Sequence, residues 1–139
     1  MKAYLDTSVI LRKLLGEPGA LKEWGHWEEG CASELARVES LRVLDRLRLQ
    51  GDLDDGEVAR KMQLLREILE TTDLIALDAA ILDRASQSFP TVIGTLDAIH
   101  LASALLYREH KKEKLLFMTH DLRLGTAAQA LGFETRGLN

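Results

Sequence analysis

Leu115-Leu116-Phe117-Met118-Thr119-His120-Asp121-Leu122 is the stretch that decides how this chain folds. Four large apolar residues and a β-branched threonine follow the charged run Lys111-Lys112-Glu113-Lys114, which reads as a solvated loop. They predict a short buried strand. Asp121 comes directly after it, and residues 122–131 carry helical periodicity closed by Gly132 as a C′ residue. Strand, acid, helix is therefore the local unit.

Working outward, the same unit opens the chain. Ala3-Tyr4-Leu5 is a short apolar strand, Asp6 follows it, and a helix runs to about Leu15 with Thr7 or Ser8 as its cap. A second short helix is expected to carry Trp24 and Trp27 on one face, either as core anchors or as a groove for a partner peptide. A small strand near Cys31 and Ala32 precedes a long helix from Glu34 to about Leu49, whose Leu35, Val38, Leu41, Leu44 and Leu47 recur at helical spacing. Another helix spans roughly 55–69, a strand 74–77, a helix 79–88, a helix 96–109 and a last strand 133–135. Strands alternating with helices predict an α/β fold with a parallel sheet covered on both faces. In such folds the functional crevice lies beyond the carboxyl ends of the strands.

The 139 residues suit a single domain spanning 1–139, and 46% apolar with 29% charged residues is ordinary globular composition. No uninterrupted apolar stretch reaches the ~18 residues of a membrane span, and no basic segment followed by an apolar run resembles a leader. Cys31 stands alone, so no internal disulfide forms. A cytoplasmic protein without membrane contact is expected. The net charge of −4 speaks against a general nucleic-acid binder, which usually shows a basic face. It does not speak against a nuclease, because carboxylates gathered to hold a cation lower the net charge themselves.

Two readings fit each candidate acid. Asp6 and Asp121 follow strands and start helices, so each is either an N-cap or a ligand at a strand's carboxyl end. Asp97 sits in the first turn of the apolar helix Leu96-Asp97-Ala98-Ile99-His100-Leu101-Ala102, where the helix dipole favours an acid. A carboxylate among such neighbours also needs a partner or a cation. Glu39 lies at the edge of an apolar stripe, as a surface acid paired with Arg42 or Arg46 or as a fourth ligand. In a parallel sheet these four positions converge on one crevice. An all-oxygen donor set suits Mg²⁺ or Mn²⁺.

These residues resemble a known family, the PIN-domain ribonucleases, and most closely the VapC-type toxins of toxin–antitoxin pairs. The resemblance rests on Tyr4-Leu5-Asp6-Thr7-Ser8, on Ser33 with Glu39 six residues later, on Thr95 to Ala102, on Phe117-Met118-Thr119-His120-Asp121, and on Ala127 to Phe133, in that order along the chain. It implies a single domain with a five-stranded parallel sheet sandwiched between helices. It assigns Asp6, Glu39, Asp97 and Asp121 as an acidic tetrad holding one or two Mg²⁺ or Mn²⁺ ions, with Ser8 and Thr119 as polar supports. Many relatives carry another acid just after the fourth position; here Leu122, Arg123, Leu124 and Gly125 follow Asp121, which implies a weaker second metal site.

The implied activity is metal-dependent hydrolysis of RNA phosphodiester bonds, leaving a 5′ phosphate and a 3′ hydroxyl, with Asp97 or Asp121 as proton acceptor. The implied partners are RNA, a cognate antitoxin and a second copy of the chain in a homodimer. Arg12, Lys13, Arg37 and Arg123 are candidate contacts to the RNA backbone, with a solvated surface charge as the favoured reading of each. His100, one turn after Asp97, and His120, directly before Asp121, are each candidates to touch metal or phosphate, with a packed helix histidine and a loop residue as the favoured readings. A haloacid-dehalogenase-like phosphatase needs a second Asp two positions after the first, where Ser8 stands, and a receiver domain needs an acidic pair that is absent. Two alternatives stay open: an RNA-processing nuclease without an antitoxin, and a non-catalytic binding module of the same fold.

Overall fold

The computed structural model describes residues 1–138. Along the chain run β1 (Lys2–Leu5), α1 (Thr7–Leu15), β2 (Glu29–Ser33), α2 (Glu34–Leu49), α3 (Asp55–Glu70), β3 (Thr72–Ile75), α4 (Ala79–Ala85), α5 (Thr95–Lys111), β4 (Leu115–Met118), α6 (Leu122–Ala130) and β5 (Glu134–Arg136). The strands form one sheet in the order β3-β2-β1-β4-β5, and every pairing is parallel. This is the expected α/β sandwich.

The pleat divides the apolar residues between two cores. Ala3, Leu5, Ala32, Leu116 and Met118 point to one face, where Val9 and Ile10 of α1, Ala36 and Leu44 of α2, and Leu65 and Ile68 of α3 cover them. Tyr4, Cys31, Leu115 and Phe117 point to the other, against Leu101 and Leu105 of α5 and Leu124 and Ala127 of α6. Tyr4 stacks on Phe117 at 5.1 Å between centroids, which joins the two central strands on that face. Burying each such large side chain contributes about 1.5–3 kcal/mol.

The order also locates the crevice. The chain leaves β1 toward β2 and β3 on one side, then crosses to β4 and β5 on the other. β1 and β4 are therefore neighbours whose connections diverge, the switch point at which doubly covered parallel sheets bind ligands. Their carboxyl ends are Leu5 and Met118, followed by Asp6 and Thr119.

Some elements differ from the sequence expectation. Residues around Trp24 and Trp27 form turns and not a helix; Gly25 adopts φ +82°, which ends any helical run, and the two indoles meet edge-to-face at 5.3 Å. The third strand is Thr72–Ile75 and not 74–77, because its register is set by pairing with β2 from Gly30↔Thr72 to Ser33↔Ile75. Asp78 then caps α4, which ends at Ala85 instead of Ser88. Asp6, not Thr7 or Ser8, caps α1. Val38 is 47% exposed and lies off the buried stripe of α2, which runs through Leu35, Ala36, Ser40 and Leu44.

Candidate active site

Asp6 is buried at the carboxyl end of β1, and its two carboxylate oxygens have different surroundings. Oδ2 accepts the hydroxyl protons of Ser8 (2.7 Å) and Thr119 (2.8 Å) and lies 3.4 Å from the Ser8 amide it caps. Each hydroxyl in turn accepts an amide of the β4–α6 loop. The His120 N–H donates to Ser8 Oγ at 2.9 Å, and the Asp121 N–H donates to Thr119 Oγ1 at 3.0 Å. The pair thereby bolts Asp6 to the loop that carries Asp121. Oδ1 of Asp6 makes no such bond and stands 3.6 Å from Nε2 of His100.

Glu39 arrives from the other side of the sheet. Ser33 caps α2 by accepting the Leu35 amide at 3.1 Å, which fixes where the helix starts and so where Glu39 points. Its Oε1 accepts the Thr7 hydroxyl at 2.7 Å and meets His100 Nε2 at 2.7 Å. Arg42, an expected partner of Glu39, pairs instead with Asp45. His100 is buried in α5, and its Nδ1 lies 2.7 Å from the Tyr4 hydroxyl.

Asp97 and Asp121 complete the cluster. Asp121 caps α6, its Oδ1 accepting the Leu124 amide at 3.1 Å. Asp97 is half-buried in the first turn of α5, and among the described residues its carboxylate has no hydrogen-bond or ion-pair partner. Burial first, then the charges of Asp121, Asp6 and Glu39, raises the Asp97 pKa above the ordinary carboxylate value. Burial works to raise Glu39 as well, but the bonds from His100 and Thr7 outweigh it and the net direction is down. For His100, burial opposes the charged form, and Glu39, then Asp6, reverse the balance and raise its pKa.

Asp97 feels the charges of Asp121, Asp6 and Glu39, so the four acids face one region, beside the imidazole of His100. Oδ1 of Asp6, Oε2 of Glu39 and both oxygens of Asp97 are uncommitted. Mutually repelling carboxylates at the mouth of a sheet, with one imidazole beside them, fit a hard divalent cation. They are gathered loosely: among the described residues no three His, Cys, Asp or Glu groups already form a cage.

The candidate cations fare differently. Arg123 is exposed two residues after Asp121. Arg37 pairs with Glu34 at 2.8 Å on the surface of α2. Arg12 and Lys13 lie in the last turn of α1, about two turns from Asp6; Lys13 sits over Trp24 and Arg12 lies near Gly19. Tyr4 and Thr7, read from the sequence as strand and cap, and His100, for which a packed helix role is the favoured reading, all contact the acids or one another here. A signal existed for His100, since three residues after Asp97 it shares that helix face.

Comparison with known proteins bears on the family. Residues 3–129 match the family model of the PIN domain. The chain is 32% identical to Ribonuclease VapC47 of Mycobacterium tuberculosis over 95% of its own length and 93% of that protein. It is 36% identical to Ribonuclease VapC46 of the same species over 93% and 92%. A solved structure described as a toxin–antitoxin complex from Klebsiella pneumoniae superposes with a TM-score of 0.64, at 20% identity, over 92% of this chain and 93% of that one. A parallel five-stranded sheet with acids at its switch point, matched along nearly all its length by VapC-type relatives, places this chain in the PIN-domain family.

Proposed function

We propose that this protein is a metal-dependent endoribonuclease and the toxin of a toxin–antitoxin pair. The observation that carries the reading is the division of labour within the carboxylates. Asp6 and Glu39 each have one oxygen tied by side-chain donors and the other left toward the shared space. That arrangement orients monodentate ligands. The VapC relatives and the superposed complex support the RNA substrate and the antitoxin partner.

A bound Mg²⁺ or Mn²⁺ would supply Lewis acidity, acidifying water and neutralising charge on the scissile phosphate. The chain's own residues do the rest. Asp6, Glu39, Asp97 and Asp121 hold the cation, and Ser8 and Thr119 keep Asp6 in place. Asp97, the acid without a hydrogen-bond partner among the described residues, accepts the proton of the attacking water. Water oxygen bonds to phosphorus as the bond to the 3′ oxygen breaks, and that oxygen takes a proton from solvent, leaving a 5′ phosphate and a 3′ hydroxyl. Arg123, exposed beside Asp121, is placed to meet an incoming phosphate.

The test is cleavage of a structured RNA pool by purified protein with Mg²⁺, Mn²⁺ or EDTA, alongside Asp6→Asn and Asp97→Asn. Metal-dependent cutting lost in both variants is expected. Cutting that survives both substitutions refutes the site. For the toxin reading, induced expression in a bacterial host arrests growth with the parent chain and not with Asp97→Asn.

A further inference from the structure

Glu39 is a long side chain on a helix that covers one face of the sheet, yet its carboxylate must reach a space bounded by α5 on the other. Left alone it would sample many rotamers, and ordering it costs conformational entropy. Two donors hold it: the rotatable hydroxyl of Thr7 and the rigid imidazole of His100, both at 2.7 Å from Oε1. His100 is 2% exposed and has a partner at each ring nitrogen, the Tyr4 hydroxyl at Nδ1 and the Glu39 carboxylate at Nε2.

The proton positions follow from chemistry. A carboxylate oxygen only accepts, so the nitrogen facing Oε1 carries a hydrogen. Nε2–H is thus required, and the neutral imidazole then has a bare Nδ1. The Tyr4 hydroxyl, 2.7 Å away and buried, is the donor that satisfies it. A protonated ring reverses only that second bond, with Nδ1–H donating to the phenol oxygen. Nε2–H faces Glu39 in either state.

We propose that Tyr4 and His100 form a positioning relay for Glu39: the phenol fixes the imidazole tautomer, Nε2–H clamps Oε1, and Oε2 is left for the cation. Neither residue touches substrate in this arrangement. The proposal rests on the reading of Glu39 as a cation-holding carboxylate, and its test separates the two.

His100→Asn places an amide near the Nδ1 position and cannot reach Glu39, whereas His100→Gln places one near Nε2 and can. Mn²⁺ binding to each purified variant is measured by titration calorimetry, with thermal unfolding as a check on folding. His100→Asn is expected to weaken Mn²⁺ about 10–100-fold, the usual effect of removing a ligand's orienting partner. His100→Gln is expected to recover most of that loss. In the unmodified protein, ¹⁵N NMR of the imidazole is expected to show Nε2 protonated, and Tyr4→Phe to admit the other tautomer. Parent-like Mn²⁺ affinity in folded His100→Asn overturns the relay if Glu39→Gln still weakens binding. If Glu39→Gln also leaves affinity unchanged, Glu39 is no ligand and the relay falls with that reading. A bare Nε2 in the parent spectrum overturns the proposal without any variant.

Discussion

Thr119→Val removes one hydroxyl from the centre of the site while nearly preserving shape. Thr119 is fully buried, donates to Asp6 Oδ2 at 2.8 Å and accepts the Asp121 amide at 3.0 Å. A hydrogen bond to a charged group contributes about 1.5–3 kcal/mol, and an orphaned buried amide costs about 1–3 kcal/mol. Both losses fall near their lower ends. Ser8 keeps its 2.7 Å bond to the same Oδ2, and Asp121 is exposed, so water reaches its freed amide. The expected destabilisation is about 2 kcal/mol, or about 7 °C in melting temperature for a domain of this size. Urea unfolding in EDTA measures it, with an unchanged m-value showing that the unfolded state is not altered. In an Asp6→Asn background the acceptor is neutral and its bond about half as strong, while the penalty of the freed Asp121 amide is unchanged, so Thr119→Val should then cost about 1.4 kcal/mol. An equal cost in both backgrounds, or a loss below about 0.5 kcal/mol, would show that the hydroxyl is not holding the carboxylate.

Three further outcomes are expected. Asp97→Asn should stabilise the metal-free protein, because its raised pKa means that the ionised form opposes folding above the ordinary value of 3.8; a lower melting temperature in EDTA would contradict this. The Glu39–His100 pair should give metal-free stability a maximum between about pH 4.5 and 6.5, the ordinary values of the two groups. Glu39, lowered in the fold, loses its contribution as pH falls below that window, and His100, raised in the fold, loses its contribution as pH rises above it. A flat stability profile across pH 5–9, measured by urea unfolding, would count against the pair. Gly137→Ala should cost about 2–4 kcal/mol, since φ is +100° and a Cβ there would lie 2.5 Å from the Thr119 carbonyl oxygen; unchanged thermal unfolding would show that the C-terminal turn does not hold the end of β4.

What was legible in the sequence was local. Strand, acid and helix are adjacent at Asp6 and at Asp121, so pattern alone placed both at the carboxyl edge. The boundaries of α2 were equally legible, since Ser33, Glu34 and the apolar spacing mark its start. The third strand was misplaced because Leu74-Ile75-Ala76-Leu77 has the stronger strand propensity, whereas Thr72 and Asp73 are drafted into the sheet by β2. The Trp24–Trp27 segment misled through its three-residue spacing, which a turn at Gly25 also satisfies. The contacts of His100 with Tyr4 and Glu39 span 96 and 61 residues. No periodicity reports a bond at that separation, and only the fold brings the partners together.

The sequence posed cap and ligand as rival readings of the same aspartates, and the structure removes the rivalry. A carboxylate has two oxygens, and a cap needs one. Asp6 commits Oδ2 to its cap and to two hydroxyls, and Asp121 commits Oδ1 to Leu124. Glu39, which caps nothing, reaches the same state through Thr7 and His100. In each case the tied oxygen fixes the rotamer and thereby aims the other. Asp97 is the exception: its helix begins at Gly94 with no side-chain cap, and its carboxylate is held by nothing among the described residues. Three fixed acids and one unfixed acid are not interchangeable. The fixed ones suit holding a cation, and the unfixed one, destabilised first by burial and then by the charges of the other three, has most to gain from taking a proton.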